Sequence, residues 1–244
     1  MDINKEFNRF AIGHRNISSN TLNDYQKKSM EKLAASPFWG IEAPTGLTPN
    51  IIEERPMNIA VMDVYSRLMM DRIIFLGYPI SEEVANIVTA QLLFLESTDR
   101  ARDIQMYINS PGGSVYAGLG MYDTMQFIGP DIATICTGMA ASMAAVLMAA
   151  GAHGKRTALR HSRIMIHQPS AGAMGQASDI EITVKEVLRL KSELYEILAT
   201  HTGKTMQEIA DDSDRDKWLD SFEAKAYGLV DEVLLTNPRK EKVK

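Results

Sequence analysis

Hydrophobic and polar positions change their rhythm several times along this chain, and the changes predict strands alternating with helices. Residues 72–77 (RIIFLG) form a short apolar run that ends at a glycine and is followed by Pro79, as suits a buried strand. Ser81 then caps a helix with Glu82 and Glu83 in its first turn, and Val84, Ile87, Val88, Leu92 and Leu95 make its apolar stripe. In residues 103–109 (DIQMYIN), Ile104, Met106 and Ile108 alternate as in a strand. Ser110-Pro111-Gly112-Gly113 breaks that strand, and a helix follows over residues 114–127. Residues 132–137 read as strand, and a helix starts at Met139 or Ala141 and runs to Ala150.

Two short strands come next, residues 157–159 and 163–167, and then a glycine-rich loop at 171–175. A long helix spans residues 177–201 and stops at Gly203, with Ile180, Val184, Val187, Leu188, Leu194, Ile197 and Leu198 at helical spacing. Residues 205–211 and 222–227 are short helices, the second stopped by Gly228, and residues 230–235 form the last strand. Strand–helix units of this kind predict a mainly parallel α/β sheet with right-handed crossovers.

Both ends differ from this pattern. Residues 1–45 are polar, with only a weakly patterned helix at 22–35, and read as an appendage or removable leader. Residues 237–244 are a basic tail, expected to fray. Residues 132–152 carry no charge and are long enough to cross a bilayer. They are mostly Ala, Met, Thr and Gly, however, so a buried strand, a tight turn and a buried helix fit better. No apolar signal segment opens the chain, and acids interrupt its first residues, so a cytoplasmic location is expected.

Composition narrows the function classes. The 244 residues are 45% hydrophobic and 23% charged, enough for a sizeable core. A net charge of −5 argues against a nucleic-acid partner, because phosphate binding needs clustered bases. A single cysteine excludes an internal disulfide framework and a cysteine-based zinc site.

Four stretches can carry chemistry. Asn109-Ser110-Pro111-Gly112-Gly113-Ser114-Val115 ends a strand in two glycines, where bare N–H groups can face a ligand; a plain turn with a Ser114 cap is the simpler reading. Gly138-Met139-Ala140-Ala141-Ser142-Met143-Ala144-Ala145 sets one serine among tiny residues at a strand-to-helix junction. It is not the G-x-S-x-G elbow, and Ser142 bonding to nearby backbone is as good a reading as a nucleophile. Ile164-Met165-Ile166-His167-Gln168-Pro169 ends an apolar strand in a histidine suited to general-base work. His201, near a helix C-terminus, sits where a cation is favoured. Asp211-Asp212-Ser213-Asp214-Arg215-Asp216-Lys217-Trp218 holds several carboxylates able to orient His167, and spacing alone does not choose among them. Cys136 reads as an inert small hydrophobe in a buried strand.

In order and separation these stretches resemble the ClpP family, the proteolytic subunits of Clp serine proteases. The resemblance runs from about Gly46 to Asp231 through YSRLMMDRIIFLG, YINSPGGSV, YDTMQFI, GMAASMAA, MIHQP, GQASDIEI, DRDKW and AYGLVDEVL. It implies a ClpP/crotonase-like α/β fold of stacked ββα units with a protruding handle helix, here residues 177–201. It implies Ser142 as nucleophile, His167 as general base, Asp216 as orienting carboxylate, and the N–H groups of Gly113 and Met143 as an oxyanion hole. Substrate backbone would lie along Gly112, Gly113 and Val115 on one side and Ser170 and Ala171 on the other. Neither a metal nor an organic cofactor is implied.

The same resemblance implies unfolded polypeptides as substrates and two stacked heptameric rings as the assembly, fed by a hexameric AAA+ unfoldase of the Clp type, with no nucleic acid and no membrane. Asp214 and Arg215 match the pair that links rings, and Tyr107 and Phe127 match residues at the grooves that dock ATPase loops. Residues 1–45 resemble a propeptide cleaved near Gly46, residues 46–63 an axial loop at the pore, and residues 64–236 the peptidase domain. Two other classes compete. A crotonase-type acyl-CoA enzyme would need acid–base carboxylates and leaves the pairing of Ser142 with His167 unexplained. A non-catalytic ring subunit would lack members of the triad, and this chain keeps all three.

Overall fold

Alternating residues of one short segment set the centre of the molecule. Ile104, Met106 and Ile108 are fully buried, and the strand they define is paired on both sides. The computed structural model describes residues 50–55, 58–170, 172 and 174–236, all within one unit, Thr48–Lys244. The expected leader at 1–45, the cleavage region at Gly46, the tail at 237–244 and Ala171 lie outside the described residues.

In chain order the elements are β1 (Asn50–Arg55), β2 (Asn58–Asp63), α1 (Val64–Met70), β3 (Ile73–Leu76), α2 (Glu82–Thr98), β4 (Ile104–Ser110), α3 (Val115–Phe127), β5 (Ile132–Ala141), α4 (Met143–Ala149), β6 (Arg156–Leu159), β7 (Arg163–Ile166), α5 (Ala177–Thr202), α6 (Met206–Asp212), β8 (Lys217–Asp220), α7 (Ser221–Tyr227) and β9 (Glu232–Leu234). β3, β4, β5, β6 and β9 form a parallel sheet in that order. β7 runs parallel to the far end of β5, and β8 closes that side antiparallel to β7. This is the mainly parallel α/β arrangement the alternation predicts. Within 46–63, the segment expected as an axial loop, β1 and β2 pair antiparallel from Asn50↔Asp63 to Arg55↔Asn58.

The caps fall where the sequence puts them. The Ser81 hydroxyl accepts from the Val84 N–H, and Ser114 accepts from Ala117. Gly203 and Gly228 end α5 and α7 in the left-handed region, with φ of 73° and 96°. Two expectations need correction. Ile87, expected on the apolar stripe of α2, is 58% exposed, and Ala85 takes its place facing the core. On α5 only the second half is buried, from Leu190 through Leu194 and Tyr195 to Leu198, whereas Ile180, Val184 and Leu188 are exposed in the single chain. Within the chain the helix packs against α4 and α6, and its first turns are exposed.

β5 also exceeds its expected end at Thr137. It pairs with β6 through Thr134–Cys136 and then with β7 through Met139–Ala141. Asn109 makes the extension possible. The β4–β5 register slips between Ile108 and Ser110, and the Asn109 side-chain oxygen accepts from the Met139 N–H at 3.1 Å. The helix after it therefore begins only at Met143. All seven residues of α4 are buried, as befits a helix apolar all round. Most of the charge-free stretch is buried, and among the described residues no helix is long and apolar enough to cross a membrane.

Candidate active site

The change of direction from β5 into α4 is made at Ser142, with φ 55° and ψ −127°. A side chain rarely holds positive φ, and such strain is of order 1–3 kcal/mol. Two bonds hold the turn. The Ser142 N–H donates to the Met165 carbonyl at 2.8 Å, and the Ser142 carbonyl accepts from Ala145 at 2.9 Å. The small residues around Ser142 permit this crossing of chains, since Ala140, Ala141, Ala144 and Ala145 are all buried.

Register brings the other two side chains in. The β5–β7 pair Ala141↔Met165 places the end of β7 beside Ser142. The β7–β8 ladder ends at Ile166↔Lys217, so His167 and Asp216 are the next residues on each strand. The His167 Nε2 lies 2.8 Å from the Ser142 Oγ, and its Nδ1 lies 2.9 Å from an Asp216 carboxylate oxygen. A carboxylate only accepts, so Nδ1 carries the proton and Nε2 is free to accept from the serine hydroxyl. Of the four acids that spacing left open, Asp216 is the one that meets His167.

The glycine loop lies against this turn. A Cβ on Gly112, which has φ 88°, would sit 2.5 Å from the Ala141 carbonyl oxygen and 2.8 Å from the Ser142 Cβ. One on Gly113 would sit 2.2 Å from the Ile80 oxygen. Ile80 donates to the Gly112 carbonyl and accepts from Ser114, which fixes the loop. Among the described residues the N–H groups of Gly113 and Met143 meet no acceptor. Val115, Met143, Val146, Ile166, Leu194 and Leu198 line a small apolar cavity beside Ser142 and His167. Ser170 is exposed.

The remaining expected residues stand apart. Asp214 and Arg215 are exposed and make no ion pair with each other within the chain. Tyr107 stacks on Phe75 with centroids 5.2 Å apart and lines an open groove with Gln105, Ile135, Leu159 and Leu234. Phe127 is 83% exposed at the end of α3, away from that groove's lining. Cys136 is fully buried, and burial pushes its thiol up, away from reactive thiolate. His201 departs from the expected cation. Burial, and then the Arg156 charge beside it, hold its imidazole below the ordinary value. These two outweigh the helix dipole, and the guanidinium is close, meeting the His201 carbonyl at 2.7 Å. Among the described residues no group of three or more His, Cys, Asp or Glu could hold a metal ion.

The sequence assigns no role to Asn109, Gln168 or Tyr195. Asn109 carries the bulge, Gln168 bridges two loops, and Tyr195 is buried beside the cavity with its hydroxyl unpartnered among the described residues. Only Gln168 has a visible signal, its place next to His167.

Comparison with known proteins identifies the family. The family model described as Clp protease matches residues 56–237. The chain is 53% identical over 232 residues to the ATP-dependent Clp protease proteolytic subunit of Porphyromonas gingivalis, covering 95% of this chain and 98% of that one. It is 55% identical over 231 residues to a protein of the same name from Bacteroides fragilis strain YCH46, covering 94% and 98%. A further Bacteroides fragilis protein of that name is 64% identical over 189 residues, covering 78% and 91%.

Proposed function

The chain belongs to the Clp protease family, and from that premise we propose that Ser142 is the nucleophile, His167 the base and then the acid, and Asp216 the carboxylate that orients it, in the hydrolysis of peptide bonds. Its role is proteolytic. The observation that carries the assignment is the unbroken run of contacts from the Ser142 Oγ through His167 to Asp216, at 2.8 and 2.9 Å.

The Ser142 oxygen bonds to the peptide carbonyl carbon while its proton passes to the His167 Nε2. The charge that develops on the carbonyl oxygen is met by the N–H groups of Gly113 and Met143, each worth about 3 kcal/mol of barrier. The protonated His167 then gives that proton to the amine nitrogen as the C–N bond breaks. Water, deprotonated by His167, hydrolyses the ester and frees Ser142. Asp216 stabilises the imidazolium that exists between these steps. Substrate backbone adds as a strand between Gly112, Gly113 and Val115 and the Ser170–Ala171 loop, so the reading of side chains is loose and apolar at most.

Loose specificity calls for enclosure. The same reading places the chain in two stacked seven-membered rings in the cytoplasm, fed with unfolded polypeptide by a hexameric AAA+ ATPase of the Clp type. The exposed apolar positions Ile180, Val184 and Leu188 on α5 support ring-to-ring packing, as do the exposed Asp214 and Arg215. Tyr107 beside its groove and the exposed Phe127 support ATPase docking. The leader ahead of Gly46 is a propeptide in this reading, and β1 and β2 lead from the pore. The acyl-CoA alternative is not favoured, since the family matched is Clp protease.

Peptide hydrolysis and labelling by a serine-directed phosphonate test the proposal on wild type and Ser142→Ala. The wild type should cleave fluorogenic peptides and take the label at Ser142, and Ser142→Ala should do neither. Cleavage retained in Ser142→Ala would overturn the assignment.

A further inference from the structure

The Asp216 carboxylate is 59% exposed and, among the described residues, bonds only to His167. Burial does not hold it in place, so its segment must be held some other way. That segment, residues 213–216, joins α6 to β8. Gln168, the residue after His167, ties it down twice. The Gln168 N–H donates to the Ser213 carbonyl at 2.6 Å. The Gln168 side-chain Nε2 donates to the Asp214 carbonyl at 2.8 Å, with the Asp214 carboxylate at 3.4 Å.

The other end of the same carboxamide faces α5. The Gln168 Oε1 accepts from the Lys191 Nζ at 2.9 Å. Its neighbours fix which way the amide points, because a lysine ammonium only donates and a main-chain carbonyl only accepts. The Lys191 ammonium also lies over the Tyr195 ring, 5.6 Å from its centroid, which keeps the lysine on this face of the helix. A charge-assisted bond of this type is roughly twice as strong as a neutral one.

We propose that Gln168 is a positioning residue, holding the Asp216 segment in register with His167, with Lys191 fixing the orientation of its carboxamide. The proposal rests on the triad assignment above. Without the carboxamide the 213–216 segment loosens, and the carboxylate no longer aligns the imidazole. The site would thereby lose rate, with substrate binding affected less.

Steady-state peptide hydrolysis by the assembled full chain tests this with Gln168→Ala, Lys191→Met and Lys191→Arg, with Gln168→Ala on an Asp216→Asn background, and with Ser142→Ala as reference. Gln168→Ala should lower kcat about tenfold to a hundredfold, the scale of a misplaced catalytic group, with KM within about twofold. Lys191→Met should lower kcat in the same sense, and Lys191→Arg, which keeps a donor, should restore it. On the Asp216→Asn background Gln168→Ala should cost less than about twofold, because the group it positions is already disabled. An unchanged kcat in Gln168→Ala, a full multiplicative loss on the Asp216→Asn background, or Lys191→Arg as impaired as Lys191→Met would each overturn the proposal. Should Gln168→Ala fail to assemble, the Lys191 pair decides. These failures are separable from failure of the triad, which would appear as activity retained in Ser142→Ala.

Discussion

His167 and Asp216 stand one step beyond the last ladder pair of β7 and β8, Ile166↔Lys217, and that register is what sets their side chains 2.9 Å apart. The placement depends on that pairing and on the contacts of Gln168, neither of which uses the side chain at position 216, so it survives a change there. Asp216→Asn should therefore fold and assemble as wild type does. Its amide can donate to Nδ1 and so favours the wrong tautomer, and it does not stabilise the imidazolium. We expect kcat to fall about a thousandfold or more with KM little changed. Initial-rate measurements with a fluorogenic peptide check this, and a kcat within tenfold of wild type would contradict the role given to Asp216.

Gly113 offers a test of the oxyanion hole that bears on main chain. A methyl there would meet the Ile80 carbonyl oxygen at 2.2 Å and the Ile80 nitrogen at 2.8 Å. Neither is the yielding end of a flexible side chain, so the loop must move, and the Gly113 N–H with it. Gly113→Ala should lose most peptidase activity and unfold at lower denaturant. Gly120→Ala, on the exposed side of α3 with nothing within 4 Å, is the control. It should keep its activity and gain about 0.4–1 kcal/mol, since alanine narrows the unfolded ensemble. Denaturant titration of both variants separates the outcomes, and equal behaviour would contradict the close approach at Gly113.

Local features of this fold are legible in the amino-acid sequence, and long-range ones are not. The alternation at Ile104, Met106 and Ile108, the cap at Ser81 and the stops at Gly203 and Gly228 depend on near neighbours, and each lies where the sequence puts it. The extension of β5 to Ala141 has no local signal, because its acceptor is the side chain of Asn109 on another strand. Ile87 and Leu188 fit an apolar stripe by spacing alone, but burial also needs a surface to cover, and spacing says nothing about that. The site divides in the same way. Motif order, by resemblance, singles out Ser142, His167 and Asp216, whereas Gln168 acts through contacts to Asp214 and Lys191 that only the folded chain brings together.

Arg156 is another residue whose place no local pattern reveals. Its side chain is 5% exposed and grips Asp231 through two nitrogens, at 3.0 and 2.5 Å. A further nitrogen reaches the carbonyls of His201 and Ala149. Burial alone would raise the Asp231 carboxyl, but its bonds from Arg156, together with the Gly154 N–H, hold it below the ordinary carboxylate range. Stability from this group is therefore present above that range and is lost as pH falls through the lowered value. Asp231→Asn leaves a buried guanidinium without its counter-charge. It should cost about 3–5 kcal/mol at neutral pH, as broken buried pairs do. Denaturant unfolding measures it, and a loss under about 1 kcal/mol would show the pair to be solvated.

The same guanidinium decides how stability responds to mild acid. His201 is half-buried, its Nε2 is 3.2 Å from the Tyr122 hydroxyl, and the charged group facing it is Arg156. Burial and then that positive charge keep the folded imidazole neutral to lower pH than an unfolded one, which takes up its proton near about 6.5. Below that value the unfolded chain binds a proton that the folded chain does not yet bind, so stability falls as pH falls, until the folded imidazole titrates in turn. Above it His201 contributes no pH dependence. His201→Gln keeps a polar side chain toward Tyr122 and removes the titration. Between pH 7.5 and 5.5 its unfolding midpoint should drop less than that of wild type, the carboxylates common to both cancelling in the difference. Parallel pH dependences in the two proteins would place the proton on the folded His201 as readily as on the unfolded one, contrary to the burial and the neighbouring charge.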